Sequence, residues 1–105
     1  MPWLILFFAG LFEVGWAIGL KYTDGFSRPL PTVLTVAAMA ASLGLLGLAM
    51  RDLPLGTAYA IWTGVGAVGT VIAGVVLFGE SLAPMRVASV MLIITGLIGL
   101  KISAA

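Results

Sequence analysis

The chain has 105 residues, 62% of them hydrophobic and 9% charged, with a net charge of +1. Its mean hydropathy is +1.24; a soluble domain of this length cannot hide so much apolar surface, and a bilayer is its natural solvent. Cysteine and histidine are absent, which argues against a disulfide framework, thiolate or imidazole metal sites and a Ser–His relay, and the few scattered basic residues argue against a nucleic-acid surface.

The apolar run after Met1-Pro2-Trp3 is too long for a signal-peptide core and lacks an evident small-residue cleavage site, so it reads as a retained first span over residues 3–20, closed by Lys21. Glu13 lies near its middle. A charge there costs about 2.5–3.5 kcal/mol on insertion scales, so such a residue is usually paired or functional. No Lys or Arg lies inside any span, and Lys21 is eight positions on, about 12 Å along a helix. Glu13 must then be neutralised by a proton or by a cation from outside the chain. Burial in hydrocarbon disfavours its ionised form, and a second Glu13 from a partner subunit adds like-charge repulsion. A site that takes a proton or a cation, but not both, couples the movement of the two. Gly10, Glu13 and Trp16 recur every third position and share one helix face.

The connection from Lys21 to Pro31 holds Gly25 and the aromatic residues Tyr22 and Phe26, which suit a membrane interface. Span two covers residues 32–50 and contains one deep hydroxyl, Ser42. That hydroxyl either bonds back to the carbonyl four residues earlier or serves a site. After the turn Arg51-Asp52-Leu53-Pro54-Leu55, span three covers 56–79. Tyr59 and Trp62 share a face, with Thr63 and Gly66 on the same side, and aromatic rings there suit a planar cation. Tyr59 also fits an interface belt. Gly64 and Gly66 flank Val65, as either a close helix contact or a hinge. Span four covers residues 85–102. Its uncharged part, Val87–Leu100, reaches only about 21 Å, and Arg86 and Lys101 lengthen it by snorkelling. Ser89, Gly96 and Gly99 suit a helix–helix interface, between two copies or within one.

The first three spans reach roughly 27–36 Å against a hydrocarbon core of about 30 Å. Four spans put Arg51, Lys101 and the N-terminal amine on one side and Lys21, Arg28 and Arg86 on the other. The positive-inside rule therefore expresses no preference, and insertion in both orientations is permitted. Secondary transporters commonly place a midplane site between inverted repeats. One copy of this chain holds one repeat's worth of helices and one buried carboxylate, so two copies in opposite orientations would supply the pair.

Several segments resemble the small multidrug resistance family, in its guanidinium exporter subtype: Phe12-Glu13-Val14-Gly15-Trp16-Ala17, Leu20-Lys21-Tyr22, Gly25-Phe26-Ser27-Arg28, and the long run from Pro54 to Gly66. The resemblance covers essentially the whole chain. It implies an all-α membrane protein forming a single domain, with four transmembrane helices per subunit in an antiparallel, dual-topology homodimer. It further implies a secondary transporter, not an enzyme, that exchanges guanidinium or substituted guanidinium for protons across the cell membrane. By that resemblance Glu13 is the shared proton and substrate site, surrounded by Trp16, Ser42, Tyr59 and Trp62, with Gly10 and Thr63 in support. Gly64 and Gly66 match the family's hinge, and the stretch with Ser89, Gly96 and Gly99 its dimer seam. Protons, lipid and a second copy of the chain are the expected partners, and no cofactor, metal or nucleic acid is expected. Two other readings stand beside this one: a quaternary-ammonium multidrug exporter of the same family, and a non-transporting membrane scaffold or pore.

Overall fold

The computed structural model describes residues 2–103 and contains four α-helices: α1 (Pro2–Tyr22), α2 (Pro29–Ala49), α3 (Leu55–Phe78) and α4 (Pro84–Ser103). Each is long and apolar enough to cross a membrane. Prolines sit where they cost least. Pro2, Pro29 and Pro84 open their helices and Pro54 precedes α3, positions at which the missing N–H has no partner to lose. For that reason α2 begins at Pro29, three residues before Thr32, and α4 takes in Arg86 and Lys101 at its two ends.

The connections are compact. Thr23 ends α1 by donating from its hydroxyl to the Leu20 carbonyl at 2.8 Å, while its own carbonyl accepts the Arg28 amide at 3.1 Å. Between them Asp24, Gly25 and Phe26 all take positive φ, which glycine adopts freely and a bulky side chain adopts only under strain. At the far end of α3, Gly79 lies at φ +64°, a left-handed cap, and the Glu80 amide returns to the Gly74 carbonyl at 3.2 Å.

α1 packs along both α2 and α3, whereas α4 packs along α3 and reaches α1 through Lys101, whose ammonium lies 4.8 Å over the Trp3 ring. The result is a flattened slab, 44 × 35 × 17 Å. Its apolar core gathers at one end: Leu6 and Ala9 of α1, Leu46 and Ala49 of α2, and Ala58, Ile61 and Trp62 of α3. α4 buries no residue, which leaves a span-length apolar helix covered on one flank only.

Candidate functional site

α1 and α3 run in the same direction and meet along a seam in which small residues of one receive side chains of the other. A β-carbon on Gly10 would meet Val65, and one on Gly69 would meet Val14. Between these two contacts Glu13 reaches α3. A β-carbon on Gly66 would fall on the Glu13 carboxyl group itself, so Gly66 is the bed on which that side chain lies. The sequence marked Gly66 for flexibility or close packing. The structure gives it a definite neighbour, and only a residue without a side chain leaves space for it.

Oε1 of Glu13 is buried and has no hydrogen-bond partner among the described residues. The one ion pair among those residues joins Arg86 to Glu80, so no basic side chain neutralises Glu13. The indole N–H of Trp16, one turn along the same helix, is also buried without a partner. A buried polar atom left unpaired costs about 1–3 kcal/mol, and buried indoles ordinarily find an acceptor. An acceptor and a donor left open within one turn form a gap in the hydrogen-bonding of the fold that a polar ligand or a neighbouring chain would fill.

One turn in the other direction the site is fully satisfied. Ser42 is completely buried; its hydroxyl donates to the Ala9 carbonyl at 2.7 Å and accepts the Trp62 indole N–H at 2.9 Å. Its bond therefore crosses to α1 and does not return to its own helix. Ala9 lies four residues before Glu13 and Trp62 four before Gly66, so this three-helix clasp sits directly beside the carboxylate along both α1 and α3. The Tyr59 ring leans on Trp62, with centroids 5.5 Å apart and planes at 54°, and remains 54% exposed. The residue is therefore open to something outside the chain.

The remaining candidates fall elsewhere. Thr63 is exposed and lines, with Tyr59, Gly64 and Gly96, an open groove of about 580 Å3 between α3 and α4. Gly64 packs against Leu97 of α4, and α3 runs unbroken through Gly64-Val65-Gly66. Ser89 bonds back to the Met85 carbonyl at 2.8 Å. Among the described residues, nothing beyond the helix's own backbone lies within 4 Å of where β-carbons on Gly96 or Gly99 would stand, so contacts between the described helices do not account for them. Sequence reasoning overlooked the Ala9 carbonyl, because a main-chain acceptor has no residue signature, and the role of Gly66 as a bed, which depends on helix register.

The chain is similar along its length to known membrane proteins. The family model described as "Small Multidrug Resistance protein" matches residues 1–93. The chain is 63% identical over 103 residues to the guanidinium exporter of Escherichia coli (strain K12), a match that covers 98% of each chain. It is 60% identical over 104 residues, 99% of each chain, to the guanidinium exporter of Salmonella typhimurium (strain LT2).

Proposed function

We propose, for a chain that belongs to the small multidrug resistance family and is thus a multi-pass membrane transporter, that it exports guanidinium and small guanidinyl cations in exchange for protons. The single observation that carries the proposal is the buried Glu13 oxygen, which meets no counter-charge and no hydrogen-bond donor among the described residues. A carboxylate in that position is stable when it holds a proton or when a cation binds it, and the two compete. Guanidinium suits it because it is planar, weakly hydrated and able to place two N–H groups on one carboxylate. The relatives' activity points the same way.

In this reading Glu13 binds substrate and proton in turn. Trp16 and Tyr59 supply a ring face and a hydroxyl, while Ser42 holds Trp62 in place. Gly10 and Thr63 shape the surroundings. Two copies insert in opposite orientations and form a single four-helix domain each, with both Glu13 carboxylates in one chamber near the midplane. The uncovered α4, with Ser89, Gly96 and Gly99, supplies the seam between copies. Gly64 and Gly66 let α3 bend as the dimer rocks between its two openings.

The test is proton-gradient-driven guanidinium flux in proteoliposomes. Wild-type protein carries guanidinium faster than tetraalkylammonium ions, and its apparent KM for guanidinium falls as pH rises, because fewer protons compete. Glu13→Gln carries no coupled flux above protein-free vesicles. Coupled flux retained in that variant would sink the assignment.

A further inference from the structure

Below the Glu13 site the α1–α3 seam opens into a cavity of about 240 Å3, bordered by Ala17, Lys21, Thr70, Gly74, Glu80 and Arg86. It begins one turn beyond Glu13. Ala17 follows Glu13 by four residues, and Thr70 follows Gly66 by four. A second carboxylate closes its outer end. The left-handed cap at Gly79 turns the chain back, the Glu80 amide docks on Gly74, and a β-carbon on Gly74 would fall on the Glu80 carboxyl group. Two carboxylates thus rest on two glycines of the same helix, eight residues and about 12 Å apart, joined by a strip of small residues with Thr70 midway.

Glu80 already holds a guanidinium group. One Arg86 nitrogen, Nη2, donates to Glu80 Oε1 at 2.6 Å. The side chains are 34% and 41% exposed, so the pair is wet, weak and exchangeable. It uses one oxygen of the carboxylate, although a guanidinium fork can engage both. Lys21 borders the same cavity with its ammonium 4.8 Å over the Phe78 ring. With Arg86 in place the cavity is net positive, so a free cation enters only when Arg86 leaves. At about 240 Å3 the cavity has room for a guanidinium-sized cation.

We propose that Glu80 is an outer station for the guanidinium cation, kept closed by the guanidinium group of Arg86, and that substrate exchanges with Arg86 there before passing along Gly74, Thr70 and Gly66 to Glu13. The station rests on the exporter reading above. It makes Arg86 a tethered competitor, which gives the rim of the protein a preference for cations that can imitate an arginine head group.

The test compares the signs of two effects on guanidinium flux in proteoliposomes. Glu80→Gln removes the station, and its apparent KM rises about two- to fivefold with the maximal rate retained. Arg86→Ala removes the competitor, and its apparent KM falls by a similar factor. Arg86→Lys keeps the charge that pins the loop but loses the fork, and falls between Arg86→Ala and wild type. A pair that merely fastened the loop to the first turn of α4 would be broken equally by Glu80→Gln and Arg86→Ala, which would then shift KM the same way. Wild-type flux accompanied by any pattern other than opposite signs overturns the station alone. Absence of guanidinium flux in the wild type overturns the exporter reading and the station with it.

Discussion

Glu13 and Glu80 occupy equivalent settings on one helix and are left in opposite states. Each lays its carboxyl group on a glycine of α3, Gly66 for one and Gly74 for the other. Glu13 issues from the middle of a transmembrane helix, where its neighbours are apolar and the described residues offer it no cation. Glu80 issues from a turn at the membrane boundary, where a basic side chain six residues on can fold back to meet it. The difference shows that a glycine bed provides space and nothing more. Whether the acid in that space is spoken for depends on its depth, because basic side chains are tolerated at the ends of spans and excluded from their middles.

Four substitutions break or sharpen this contrast. The largest effect is expected from Glu13→Gln, the loss of coupled flux described above, since no other acid lies within the spans. Gly66→Ala comes next. Its methyl group displaces the Glu13 carboxyl, and misplacement of a reacting group by about 1 Å costs on the order of tenfold to a hundredfold; initial rates of guanidinium flux measure it. Ser42→Ala spares the carboxylate but strips the Trp62 indole of its acceptor, which costs about 1–3 kcal/mol. Thermal unfolding in detergent should register that loss, together with a higher KM as the Tyr59–Trp62 pair loosens. Gly74→Ala should matter least. Glu80 sits on a turn and can move aside, so a change of about twofold in KM is expected, within what an exposed ion pair contributes. If Gly74→Ala proved as damaging as Gly66→Ala, depth would not be what separates the two carboxylates.

Much of the architecture was legible in the chain itself, because the bilayer imposes few solutions. Four apolar runs bounded by charges and prolines have to be helices of span length, and the described helices begin and end within a few residues of those boundaries. The oddity of Glu13 was legible for the same reason, since an acid among apolar residues stands out without any three-dimensional information. The helix face shared by Gly10, Glu13 and Trp16 follows from the helical period alone. The orientation of the chain in the membrane is not written in the loops, whose basic residues balance.

What only the tertiary structure decided concerns contacts between helices. Residue spacing describes one helix at a time, whereas the register of α1 against α3 emerges from the packing of all their side chains together. That register puts Ala9 beside Trp62 and Glu13 beside Gly66, sends the Ser42 hydroxyl across to α1, and brings Glu80 back over Gly74. The sequence by itself determined that one acid would lie in hydrocarbon without a partner of its own, because charge and hydropathy are properties of residues. The fold determined which glycine receives it and which indole stands open beside it, because close approach is a property of pairs.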